Sequence, residues 1–157
     1  MDLSSAESAS AEGFDDLTGL VNRAGLRHWV GHQNVNAVAL VDLDRFKRIN
    51  DDYGYAAGDR VLCLAASVLQ ERCSPGIVAR WGGGEFVVVT EHDTMWLTHR
   101  LASALAECQQ LSEFTPPAVS FSAGVAPVEG NDWAAMLPTV NEALHRAKVD
   151  RATVVAV

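Results

Sequence analysis

Two aspartates one residue apart, Asp42 and Asp44, close the apolar run AVALVD that spans Ala37 to Asp42. Strand alternation sends both carboxylates to one side of the strand's end. Such a place suits Mg2+, a hard cation held through one or two carboxylates together with substrate phosphates. The same pair would also serve as a helix cap (Asp44) beside a solvated strand end (Asp42). A second feature is Arg80-Trp81-Gly82-Gly83-Gly84-Glu85-Phe86, whose glycines let backbone N–H groups approach a ligand closely, or else form a flexible hairpin. Asn50 and Asp59 bracket Gly54 and Gly58. They offer an amide and a carboxylate to a base edge, and they are equally good turn formers.

These residues need a scaffold, and the chain alternates in a way that supplies one. Asn22 caps a helix with Leu26, Trp29 and Val30 on one face, and Gly31 stops it. Strand 37–42 follows, then a short helix from Arg45 to Asp52. A longer helix sets Val61, Leu62, Ala65, Val68 and Leu69 at three- and four-residue spacing. Ile77–Trp81 and Phe86–Thr90 read as a hairpin around glycines 82 to 84, which permit the positive φ of a tight turn. A helix over 93–111, a strand over 119–125, a helix over 133–147 and a strand over 153–157 complete the chain. The order implies one sheet layered against helices.

Composition narrows the partners. With 20 acidic and 12 basic residues in 157, the net charge is −8. That works against a broad phosphate-neutralising surface, so neither a nucleic acid polymer nor an anionic membrane is expected. A small phosphorylated ligand is compatible. Hydrophobic residues at 48% supply a real core. Cys63, Cys73 and Cys108 are odd in number and widely spaced, which argues against disulfides or zinc and for a reducing cytoplasm. No run approaches the roughly 20 apolar residues of a membrane helix, so no insertion is expected, and no leader follows Met1. Residues 1–13 read as an acidic, Ser/Ala-rich flexible tail, and 14–157 as a single domain.

Taken together, Asp15-Asp16-Leu17-Thr18-Gly19-Leu20-Val21-Asn22-Arg23, the stretch DLDRFKRINDDYGYAAGD from Asp42, RWGGGEF from Arg80 and SFSAGVA from Ser120 resemble the GGDEF domain of diguanylate cyclases in order and spacing. The resemblance implies an α+β fold in which helices flank a central five-stranded, mainly antiparallel sheet, akin to the palm of nucleotide cyclases and polymerases. It implies condensation of two GTP into cyclic di-GMP with release of two pyrophosphates, Mg2+ as cofactor, and a homodimer for the active form. It also assigns roles: Asp42 and the Leu43 carbonyl to metal, with Asp44 a further candidate ligand, and Asn50 and Asp59 to guanine. Lys47 and Lys148 would lie near the phosphates, and Gly82 and Gly83 would form the turn around them.

The signature departs from the family at its third position, where Gly84 stands in place of Asp or Glu. Loss of a metal-binding carboxylate is expected to cost at least about 10–100-fold, or about 1.4–2.7 kcal/mol. Glu85 is the candidate substitute as the catalytic carboxylate. Neighbouring strand side chains face opposite ways, so that rescue calls for a local backbone change. Tyr55 follows Gly54 where the family has histidine, and Arg151 comes one residue earlier than the family's basic partner to Lys148. Cys73-Ser74-Pro75-Gly76 replaces the RxxD of the inhibitory product site, so feedback there is expected to be absent. The reading that follows is a degenerate GGDEF domain, inactive or impaired, that retains guanine-nucleotide binding and acts through a protein partner. The alternative is a working cyclase. The length leaves no room for a sensor, which implies either a piece of a longer protein or a small module dependent on partners. The four tryptophans are expected in or beside the core and the five histidines at the surface.

Overall fold

The computed structural model describes residues 13–31 and 33–157, so His32 and the expected tail, apart from Gly13, lie outside the described residues. The elements run α1 (Arg23–Val30), β1 (Ala37–Leu43), α2 (Phe46–Tyr53), α3 (Tyr55–Cys73), β2 (Ile77–Arg80), β3 (Glu85–Thr90), α4 (Thr94–Leu111), β4 (Phe121–Pro127), a 3-10 turn (Ala134–Met136), α5 (Leu137–Asp150) and β5 (Val154–Ala156). The strands form one five-stranded sheet in the order β2-β3-β1-β4-β5. All neighbours pair antiparallel except β4 and β5, which are parallel.

β1 lies at the centre and is buried on both faces, which is why its sequence is a continuous apolar run rather than an alternating one. Its odd-numbered residues Ala37, Ala39, Val41 and Leu43 pack with Phe86, Val88 and Phe121 beneath Leu62 and Leu69 of α3 and Leu97 and Leu101 of α4. The even-numbered Val38 and Leu40 join Val87, Val89 and Ala126 against Leu26 and Val30 of α1 and Val140 and Leu144 of α5. Fully burying each such side chain is worth about 1.5–3 kcal/mol. The cap expected at Asn22 is present, its side chain accepting from Gly25 N at 2.9 Å; Asp93, expected as the first residue of its helix, caps it instead, accepting from Trp96 N at 2.9 Å.

Several boundaries differ from expectation for local reasons. β4 lies over 121–127 rather than 119–125, because Val119 N donates to Ser112 Oγ at 2.8 Å while Phe121 is the first residue in register with β1. α5 begins at Leu137, with Pro138 in its first turn, so residues around Trp133 form a 3-10 turn. None of Gly82, Gly83 and Gly84 takes a positive φ. Trp133 is buried and Trp81 and Trp96 pack on the core, but Trp29 is 52% exposed at the edge of α1. Cys63, Cys73 and Cys108 are free, and burial pushes the Cys73 and Cys108 thiols up to about 12. Among the described residues no helix is long and apolar enough to cross a membrane.

Candidate nucleotide and metal site

The C-terminal end of β1 delivers Asp42 and Asp44 to the side of the sheet covered by α5, and there both meet Lys148. Its ammonium lies 2.9 Å from Asp44 Oδ1 and 3.4 Å from Asp42 Oδ2. It also donates to the backbone carbonyls of Asp42 at 3.1 Å and Leu43 at 3.3 Å. Asp44 is further saturated: Oδ1 accepts from Ser122 Oγ at 2.7 Å, and Oδ2 from Ser120 Oγ at 2.8 Å and Ala152 N at 3.0 Å. Two donors per oxygen leave this carboxylate no ready lone pair for a metal. Burial pushes the Asp44 carboxyl up, but the bonds from Lys148, Ser122, Ala152 and Ser120 outweigh it and hold the carboxyl below its ordinary value. At Asp42 burial prevails over Lys148, and its carboxyl titrates above the ordinary value.

Beyond Asp44 the chain turns through Arg45, at φ 58°, into α2. This helix carries Lys47 outward and Asn50 half-buried. The Asn50 side chain lies against the backbone of Gly58, where a Cβ would collide with Asn50 Oδ1. Asp59, the next residue, is exposed in the first turns of α3. The expected guanine-reading pair is thus carried on neighbouring helices, joined through Gly54 at φ 90°. The glycine at 58 is what lets them approach.

The signature hairpin is tightly pinned. Arg80 donates from Nε to Gly82 O at 2.9 Å and from Nη2 to Gly83 O at 2.8 Å, and its Nη1 pairs with Asp15 at 3.1 Å. Arg23 donates to Trp81 O at 2.8 Å and stacks 4.5 Å from that ring. The glycines provide room rather than unusual φ. A Cβ on Gly82 would fall 2.7 Å from Glu85 Oε1, and one on Gly84 would fall 3.0 Å from the Phe46 ring.

The register corrects the expectation for Glu85. It stands directly across from Asp42. Facing residues of an antiparallel pair share a face, so Glu85 is on the side of Asp42 with no backbone change, while position 84 points toward Phe46. Sequence reasoning also missed Ser120, Ser122 and the Ala152 N–H as the partners of Asp44. The alternate serines of SFSAGVA were the visible signal, but only the β1–β4 register shows what they face.

Arg151 closes α5 at φ 56°, ψ 168°, and Ala152 follows at φ 46°. The first is a region used almost only by glycine. Arg151→Gly is expected to raise stability by about 1 kcal/mol, read from the midpoint of urea unfolding.

The five-stranded sheet with its flanking helices is a cyclase-palm-like α+β fold. The chain belongs to the GGDEF family: the family model described as diguanylate cyclase, GGDEF domain, matches residues 12–153. The diguanylate cyclase DgcP of Pseudomonas aeruginosa is 39% identical over 150 residues, 85% of this chain and 22% of DgcP, so the chain spans about a fifth of that relative. The coiled coil and GGDEF domain of DgcB from Caulobacter crescentus, solved with c-di-GMP, superposes with TM-score 0.82 at 23% identity, over 99% of this chain and 90% of that one. The diguanylate cyclase SiaD of Pseudomonas aeruginosa, solved with its activator SiaC, superposes with TM-score 0.82 at 26% identity, over 99% of this chain and 66% of that one.

Proposed function

We propose that this chain is a GGDEF domain of cyclic di-GMP signalling that has lost cyclase turnover. It keeps guanine-nucleotide recognition and works through a protein partner. The observation that carries this reading is the buried Gly84 packed on Phe46 at the signature's third position. No carboxylate stands there. The retained part is Asn50 and Asp59, with Lys47 and Lys148 as the cations toward phosphate, and Gly82 and Gly83 in the turn. Titration calorimetry tests it: GTP binds the protein, and Asn50→Ala and Asp59→Ala each abolish the heat. Absence of binding by the wild-type protein would contradict nucleotide recognition.

Gly84→Asp tests that cause. Its Cβ would fall 3.0 Å from the Phe46 ring, which must give by a few tenths of an ångström, so we expect a loss of about 1 kcal/mol in urea unfolding and a rise in metal-dependent GTP binding. A second reading has one observation in its favour, the pairing of Glu85 with Asp42. In it Glu85 supplies the carboxylate missing at 84, Asp42, Glu85 and the Leu43 carbonyl take Mg2+, and a homodimer converts GTP to cyclic di-GMP. Product formation that Glu85→Gln removes would select this reading.

A further inference from the structure

We propose that this domain pairs with a second copy of itself across the cleft between α3 and the segment that follows α4, with Phe114 of each copy seated in the cleft of the other. The inference goes beyond the functional reading above and does not rest on it, since none of Asp42, Asn50, Asp59 and Glu85 lines this cleft. The cleft holds about 230 Å3, room for a phenyl ring. Val61, Leu64, Leu111, Pro116, Pro117 and Val119 make its walls mostly apolar, and Arg60 is the charged residue among its lining.

The knob stands beside the hole. Phe114 lies in the cleft's own border, between Ser112 and Thr115, and is 89% exposed, with Leu111 55% exposed close by in the chain. Bare apolar side chains continuous with an apolar cleft mark an association surface. The segment is held in place from below: Ser112 Oγ donates to Cys108 O at 2.8 Å and accepts from Val119 N at 2.8 Å. A side chain presented on a fixed loop loses less entropy when it binds. Charge fits the same arrangement. Glu113 precedes Phe114 and is exposed, as is Arg60, and among the described residues neither takes part in an ion pair. A knob carrying a carboxylate next to a hole carrying a guanidinium is self-complementary, which is the condition for an isologous two-fold pair. Each contact then occurs twice, so two rings are buried and Glu113 of each copy meets Arg60 of the other. The rings supply most of the attachment, and the ion pairs at the rim fix the register. An interface of this kind is small, and the dimer it forms is weak.

Sedimentation velocity on the whole chain, without nucleotide or metal, tests the proposal at about 0.15 M salt, where a Debye length of about 8 Å screens the net charge of −8 on each copy. The wild type is expected to pass from monomer to dimer between about 1 μM and 1 mM. Phe114→Ser is expected to weaken dimerisation at least about thirtyfold, because each pair loses two rings. Arg60→Glu and Glu113→Arg each set like charges against one another and are expected to weaken it about tenfold, while the double reversal restores it to within about threefold of the wild type. A wild type that stays monomeric at about 1 mM overturns the proposal. So does a dimer that Phe114→Ser leaves intact, or a double reversal that associates no better than the single ones. The functional reading fails on a different result, formation of cyclic di-GMP, so the two can be separated.

Discussion

Asp44→Ala is expected to destabilise the protein by about 3–5 kcal/mol, because it removes one partner of a buried ion pair and leaves the other charged. The carboxylate is 5% exposed and joins three parts of the chain: β1, the serines at the start of β4, and the segment after α5. Its removal takes from the Lys148 ammonium one of its two carboxylates and leaves the Ala152 N–H without its acceptor. Urea unfolding at neutral pH reads the loss, and a change below about 1 kcal/mol would contradict the role assigned to it. The pH dependence has a definite sign. A carboxyl whose folded-state pKa is depressed stabilises fully above its unfolded pKa, and that stabilisation disappears as pH falls through the folded value. For Asp44 the loss is therefore expected in acid, below about pH 4. Asp42, raised on folding, runs the other way, since protonation relieves its burial penalty as pH falls.

Gly124→Ala carries the second large effect, a loss of about 3 kcal/mol. α5 crosses β4 so closely that a Cβ at 124 would collide with the Val140 carbonyl and fall 2.6 Å from Leu144 N and 2.8 Å from Ala143 Cβ. The obstacles are chiefly helix backbone, which cannot rotate away as a side chain can. Relief requires α5 to lift off the sheet, and Lys148 travels with it. The melting temperature should fall by about 6–12 °C for a domain of this size. An unchanged melting temperature would show that the helix yields freely.

How much of this was legible beforehand depended on whether the signal was local. The buried run of β1, the cap at Asn22 and the apolar face of α3 are written in neighbouring residues, and the structure has them. The hairpin was legible as a hairpin, but the reason for its glycines was not. Gly82 and Gly84 clear space for Glu85 and Phe46, and those contacts come from folding rather than from turn chemistry. Asp42 and Asp44 look equivalent in sequence. In the fold one accepts four donors and the other stays a third exposed, a division decided by Ser120, Ser122, Lys148 and Ala152, all more than seventy residues away. The facing of Glu85 and Asp42 likewise depends on strand register, which alternation within one strand does not reveal.

Incubation of the protein with GTP and Mg2+ or Mn2+, followed by chromatography for cyclic di-GMP, tests the central claim most directly. The expected result is no cyclic di-GMP from the wild type, with GTP recovered unchanged. Cyclic di-GMP that accumulates with time and disappears in Asp42→Ala would contradict it.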